Sequence, residues 1–315
     1  MDFVLSSDQL ALRDGVREFA TKRYGEDPLR AVTAADRALW ADLAGLGVFG
    51  LTVPEAKGGA ALGTAEAVLA FEELGRALVP GPLVASYLAA GVVDGALDGQ
   101  TVVGVVDEGL DPLLVEHPDL IDSVALIGAD RVTLVPTTEL SIEVVDSPMD
   151  PLTPVARLTG GLPSGDVVAD AAPWRLRGTV LTSAYQLGIA EAVTDRSIAY
   201  AKEREQFGRA VGSFQAIKHV LADMFVRAEL ARVAVYAAGL TIDDPEVGDP
   251  VRTAATAKLL ADQAALLNAK AAIQVHGGMG FTWEVPLHLF FKRAWLLSTT
   301  FGTADEHAFA LAAGV

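Results

Sequence analysis

REQFGRAVGSFQAIKHVLADM, from Arg204 to Met224, joins a charged, glycine-broken stretch to a patterned apolar helix. From Ile217 the apolar positions run Ile217, Leu221, Met224, Ala228, Ala231, Val235 and Ala238, in alternating steps of four and three. That spacing keeps one stripe facing a core and predicts a single long helix. GLTIDDPEVGDP closes it, and Asp249-Pro250 suits the N-cap and first position of the next helix. The next helix is expected to run to Val275 and stop at Gly277-Gly278, where the chain can take positive φ. Arg204, Gln206, Phe207 and Gln215 stand around the bend between the helices.

Working outward, three regions follow. Residues 174–315 read as a helical bundle. Residues 99–173 change character: TVVGVV, SVALIGA, RVTLVP and SIEVVD are short β-branched runs separated by Asp, Gly and Pro, as strands are. GADR (Gly128 to Arg131) suggests a hairpin turn between two of them. Residues 1–98 read as helical, with Ser7 as an N-cap before an acidic first turn. A second helix ends near Leu46-Gly47, Leu51 to Gly63 is a Gly- and Pro-rich loop, and AEAVLAFEELGRAL resumes a helix. The expected class is α+β: an N-terminal helical domain (1–98), a reduced middle β-domain (99–173) and a C-terminal four-helix bundle (174–315).

Composition narrows the function. The 315 residues are 51% hydrophobic, enough for a large core. Against 41 Asp+Glu stand 24 Lys+Arg, a net charge of −17, which repels nucleic acid and anionic lipid. No nucleic-acid or membrane partner is expected. The absence of cysteine excludes disulfides, thiolate metal sites and cysteine nucleophiles. His117, His219, His276, His288 and His307 show no HxxxH or HExxH spacing, so no metal site is expected. MDFVLSSDQL carries neither a basic nor an apolar signal region, and no apolar run approaches the roughly 18 residues of a membrane span. A cytoplasmic protein is expected.

AYAKEREQFGRAVGSFQAIKHVLADM, AAIQVHGGMGFTWEVPLHLFFKRA and, more loosely, TTFGTADEH resemble the acyl-CoA dehydrogenases, as does LAGLGVFGLTVPEAKGGAALGTAEAVLAFEELGRAL. The likeness covers essentially the whole chain and is weakest between about residues 100 and 175. It implies an FAD-dependent oxidoreductase that introduces an α,β double bond into CoA thioesters. It also implies that Arg204, Gln206, Phe207, Gln215, Gln274, Gly277 and Gly278 bind FAD held by a neighbouring subunit. Their chemistry agrees. Arg204 offers a planar fork for phosphate oxygens, Phe207 a flat apolar face, the glutamines amide groups, and the glycines a bare backbone. Taken singly, Arg204 also reads as a surface ion pair with Glu203 or Glu205, and Gly277-Gly278 as a plain helix stop. His219 and His276 read as structural or rim residues, Glu284 and Lys292-Arg293 as packing or interface charges, and Arg209 and Arg227 as ordinary surface charges.

The family's catalytic base is commonly the Glu of a Tyr-Glu-Gly-Thr motif. The matching residues here are Thr300, Phe301, Gly302 and Thr303, and a phenyl ring accepts no proton. Some relatives place the base where Gly178 or Thr179 falls, again without a carboxylate. No catalytic residue is therefore assigned, with Phe301 standing at the base position. VVGVVDEGLDP also departs from the family segment that lines the flavin ring. The resemblance implies the short, base-less subunit of a heteromeric (α2β2) actinobacterial steroid-catabolism enzyme. Its partners would be a longer catalytic subunit that binds most of the acyl-CoA, and an electron-transfer flavoprotein or similar acceptor. Two alternatives stand: a self-sufficient homomer whose base has moved to Asp305 or Glu306, and a flavin-free scaffold.

Overall fold

The computed structural model describes residues 4–25 and 35–313. Among these the α-helices are α1 (Ser7–Tyr24), α2 (Arg37–Gly45), α3 (Thr64–Arg76), α4 (Leu83–Ala89), α5 (Ala171–Glu203), α6 (Gln215–Asp243), α7 (Pro250–His276), α8 (Leu287–Leu297) and α9 (Ala304–Ala313). Seven strands lie between α4 and α5, so helices, then sheets, then helices follow in the expected α+β order. The chain divides into two compact units. One comprises Met1–Ala31, Val68–Val79 and Thr179–Val315, the other Val32–Ala67 and Pro80–Gly178.

The second unit holds the sheets. Strands β1 (Val103–Asp107), β3 (Ser123–Ile127), β4 (Arg131–Pro136) and β7 (Asp166–Asp170) form one sheet in the order β1-β3-β4-β7. β1 and β3 are parallel, from Val103 opposite Ser123 to Asp107 opposite Ile127, and the other pairs are antiparallel. The GADR turn joins β3 to β4, with Gly128 N donating to Arg131 O at 3.0 Å. β2 (Leu114–Glu116), β6 (Val155–Leu158) and β5 (Ile142–Val144) form a three-stranded antiparallel sheet. β2, β6, β7 and α4 escape the sequence reading. The strands are short and carry Glu, Arg or Asp, which hides their alternation. Arg37 forks onto Asp122 at 2.8 and 2.7 Å, and this guanidinium holds the Asp122 carboxyl below its ordinary pKa. Gly81 takes φ +114°, and a Cβ there would lie 2.3 Å from the buried Trp40 ring. Glycine alone fits that turn.

The first unit is helical. α1 is capped one residue earlier than the sequence suggests. Ser6, not Ser7, accepts from Gln9 N at 3.2 Å while the Gln9 side chain accepts from Ser6 N at 3.0 Å. That reciprocal box favours Ser6 over its neighbour. Asp249 and Pro250 do begin α7, Asp249 accepting from Val251 N and Arg252 N. The inward face of α7 is rich in alanine from Ala254 to Ala272, which lets neighbouring helices approach closely, with Lys258, Asp262 and Asn268 buried among them. The α6 stripe buries Met224, Ala228, Ala231, Val235 and Ala238, and leaves Ile217 and Leu221 partly open. α3 and α5 interlock through glycines. A Cβ on Gly188 would meet Glu72 O at 1.9 Å, and one on Gly75 would meet Tyr185 O at 2.0 Å.

A polar layer lies beside this crossing. Tyr236 Oη donates to Glu72 Oε2 at 2.7 Å, Glu191 takes Arg76 and Arg232, and Glu73 receives the fork of Arg17 at 2.8 and 2.6 Å. Burial, and then the charge of Glu191, push the Glu72 carboxyl up to about 8. Between its ordinary value of 4.5 and about 8, folded Glu72 keeps a proton that the unfolded chain has lost. The folded state binds more protons there, so this group's contribution to stability falls as pH rises through that window. Glu72→Gln keeps an acceptor for Tyr236 and cannot ionise. It should be about as stable as wild type near pH 5 and melt higher by pH 8.5, the gain being at most about 4 kcal/mol for a carboxyl shifted across that window. Equal melting curves at both pH values would refute this assignment.

Candidate cofactor-binding site

α5 ends at Glu203, but the chain keeps its helical bond for one more residue, Arg204 N donating to Tyr200 O at 2.8 Å. It then folds into a minimal hairpin. β8 (Glu205–Gln206) pairs antiparallel with β9 (Arg209–Ala210), and Val211 N returns to Arg204 O at 2.7 Å. Phe207 and Gly208 form the loop, with φ +54° and +75°. Two successive positive φ values define a type I′ turn, which prefers Asn, Asp or Gly at its first position. Phenylalanine there costs about 1–2 kcal/mol. Its side chain is nevertheless 92% exposed.

Local contacts offset that cost. The Phe207 ring meets Phe214 edge-on, centroids 6.2 Å apart at 84°, and Arg209 lies 4.1 Å over the same Phe214 ring. Such an aromatic pair contributes about 0.5–1.5 kcal/mol, and an exposed cation–π contact about 0.5–1 kcal/mol. The sums nearly cancel, so the hairpin is held but not over-determined. Arg209 is therefore no ordinary surface charge, contrary to the sequence reading. Arg227 is not one either: its Nε donates to the buried Asn268 Oδ1 at 2.8 Å. The Arg204 side chain is exposed and, among the described residues, makes no ion pair with Glu203 or Glu205.

Gln215 opens α6 and is exposed. Gln274 is exposed near the end of α7, where Gly277 N caps the helix onto Gln274 O. Gly277 takes φ +61°, a backbone requirement of its own. Gly278 has no such excuse, since a Cβ on it would meet nothing within 4 Å. Among the described residues, nothing requires glycine at that position. The two segments are tied by a pair that sequence reasoning missed. Tyr200 stacks on His276 at 4.1 Å and 25°, and its hydroxyl donates to His276 O at 3.4 Å. His276 is buried, its Nδ1 2.8 Å from Ala272 O, and burial lowers its pKa. Tyr200 is one turn before Arg204, and His276 directly precedes Gly277. The end of α5 and the end of α7 are thus joined, which brings the Arg204 hairpin and the Gln274–Gly278 segment to one region.

The two positions at which the resemblance would put a base also meet. Thr179 Oγ1 donates to Phe301 O at 3.2 Å, and Phe301 and Gly302 turn the backbone at φ +55° and +102°. His307 Nε2 donates to the same carbonyl at 3.0 Å. A Cβ on Gly302 would lie 2.6 Å from that nitrogen. Of the displaced candidates, Glu306 is engaged in capping α9: its Oε2 accepts from Thr303 N at 2.7 Å and from Thr303 Oγ1 at 2.9 Å. Asp305 is exposed in the first turn of α9. Deeper in the bundle, Lys258 Nζ donates to both Asp262 oxygens at 2.7 and 2.8 Å and to Leu297 O at 3.0 Å, and Gln186 joins Asp262. This buried pair ties α5, α7 and the end of α8.

The profile of the acyl-CoA dehydrogenase C-terminal domain matches residues 176–315, and that of the N-terminal domain matches residues 6–96. The chain belongs to the acyl-CoA dehydrogenase family, a family of oxidoreductases. It is 37% identical over 300 residues to the acyl-CoA dehydrogenase IpdE2 of Mycobacterium tuberculosis, spanning 90% of this chain and 89% of that one. It is 36% identical over 280 residues to the acyl-CoA dehydrogenase FadE34 of the same organism, spanning 82% of this chain and 39% of FadE34. Among solved structures, a variant of the steroid ACAD Tcur3481-Tcur3483 superposes with a TM-score of 0.82 at 26% identity, covering 97% of this chain and 96% of that one. The ChsE4-ChsE5 complex of Mycobacterium tuberculosis shares the fold, with a TM-score of 0.83 at 22% identity and coverage of 99% and 98%. Among the described residues, no helix is long and apolar enough to cross a membrane.

Proposed function

We propose that this chain is the non-catalytic subunit of a heteromeric FAD-dependent acyl-CoA dehydrogenase acting on a steroid-derived CoA thioester. In this reading Arg204, Gln206, Phe207, Gln215, Gln274, Gly277 and Gly278 bind the FAD of the neighbouring subunit. The observation that carries it is an asymmetry. The Thr179–Phe301 contact holds no carboxylate, while the Arg204 guanidinium is exposed and, among the described residues, unpaired, and the Phe207 ring beside it is 92% exposed. The residues fit the cofactor: Arg204 suits its pyrophosphate, Phe207 a flat ring, and Gly278 leaves backbone open to close approach.

Bound FAD supplies the hydride acceptor. This chain's residues would orient it, and a partner carboxylate would take the substrate proton. Electrons would leave to an electron-transfer flavoprotein or similar acceptor.

The relatives support a partnered role. The match to FadE34 takes up 39% of that chain, which leaves most of it for something else. Two of the solved relatives are named as pairs of chains, and one of these is called a steroid ACAD. On α6, Val226, Leu230 and Val233 recur at helical spacing and are each more than half exposed, as is Phe225. An apolar row of that kind suits burial against another subunit. The moved-base alternative is weakened because Glu306 is spent on the α9 cap.

The test is to tag this chain in its own host and purify what accompanies it. A longer dehydrogenase-like subunit should co-purify, with roughly half as many flavins as chains, as two sites in an α2β2 assembly require. The chain produced alone should hold little flavin and show no turnover with acyl-CoA thioesters. Robust turnover by the chain alone, lost in Asp305→Asn or Glu306→Gln, would overturn the reading. Glutamine preserves the cap, so Glu306→Gln would not simply unfold α9.

A further inference from the structure

We propose that Arg209 is a positioning residue for the cofactor: stacked over Phe214, it fixes the ring against which Phe207 rests. The inference rests on the proposed trans-binding of FAD and deepens it. Arg209 comes from β9, Phe207 from the turn, and Phe214 from the residue capping α6. The three therefore set the angle between hairpin and helix, which two-residue strands cannot set alone. Arg209 is exposed and Phe214 only half-buried, so the stack lies outside the packed core. Its geometric effect falls on Phe207 and, through the Val211–Arg204 backbone bond of 2.7 Å, on the root of Arg204. Arg209 need not touch the cofactor. It acts by keeping a strained, outward phenyl ring in one orientation before the cofactor arrives, which lowers the ordering cost of binding.

A double-mutant cycle in the purified holo-assembly separates this role from direct contact. Flavin affinity is read from fluorescence recovered on serial dilution, independently of turnover. Arg209→Ala should weaken flavin binding about three- to tenfold, and Arg209→Lys, which keeps a cation over the ring, should restore most of it. In a Phe207→Ala background, Arg209→Ala should add less than a twofold further loss, because the ring it orients is gone. Phe214→Leu should behave like Arg209→Ala. An additive loss in the Phe207→Ala background would mean that Arg209 contacts the cofactor itself, and would overturn the positioning role. Flavin loss in Arg204→Ala with none in Arg209→Ala would sink the inference alone. Full flavin in Arg204→Ala, Phe207→Ala and Arg209→Ala together would sink the trans-binding reading with it.

Discussion

Arg204→Ala in the assembled protein is expected to release flavin, with binding weakened roughly tenfold to a hundredfold. A charge-assisted hydrogen bond to a phosphate contributes about 1.5–3 kcal/mol, and each 1.4 kcal/mol is a decade in affinity. The structure sharpens this expectation because, among the described residues, the Arg204 side chain makes no ion pair or hydrogen bond. Removing it leaves no buried partner stranded, so folding should be unaffected, within about 0.5 kcal/mol by melting of the isolated chain. Flavin loss without destabilisation is the signature of a ligand contact. Activity should partly return when excess FAD is added, since mass action refills a weakened site.

Arg204→Lys should recover only part of the affinity, because an ammonium cannot make the forked contact. Arg209 and Arg227 are unsuitable controls, one stacked on Phe214 and the other bonded to Asn268. Arg252, exposed in the first turn of α7, is a better one, and Arg252→Ala should retain full flavin. Full flavin and full activity in Arg204→Ala would leave the scaffold alternative standing.

What could be read in advance follows from the range of the interactions involved. The α6 stripe is legible because its period is set by the helix itself, and Met224, Ala228, Ala231, Val235 and Ala238 are indeed buried. The Asp249-Pro250 start of α7 is legible for the same local reason. The strands β2, β6 and β7 are not, since they carry charged residues on runs too short to show a period. Within the candidate site, chemistry could be assigned to Arg204 and Phe207 one residue at a time. The Tyr200–His276 stack could not, because it joins residues 76 apart through nothing but the packing of α5 on α7. Arg209 looks like an ordinary surface charge in the sequence for a subtler reason. Its partner is five residues away, beyond helical spacing, and is reached across the single 3-10 turn Val211–Ser213, where Phe214 N donates to Val211 O. A phenylalanine before glycine gives no warning of a type I′ turn, for which asparagine is the usual signal. Such local misfits tend to sit at functional positions.

That misfit supplies the second large effect. Phe207→Asn should leave the fold as stable as wild type or slightly more so, while flavin binding falls roughly fivefold to a hundredfold. The stability side follows from the turn. Asparagine enters the left-handed region readily, which relieves the cost of about 1–2 kcal/mol carried by Phe207. The loss of the edge contact to Phe214 removes about 0.5–1.5 kcal/mol, for a net change between about −0.5 and +1.5 kcal/mol, centred on a small gain. Beyond Phe214 the ring has little packing to lose, since Phe207 is 92% exposed. The binding side follows from stacking, where removing an aromatic face from a nucleotide ring costs about 1–3 kcal/mol. Melting of the flavin-free chain and flavin titration of the assembly measure the two sides separately. Most substitutions lower stability and function together, and a fall in both would make Phe207 an ordinary structural residue. Opposed changes would mean that the chain bears a strained backbone to hold a phenyl ring out toward its neighbour, a strain that nothing in its own fold requires.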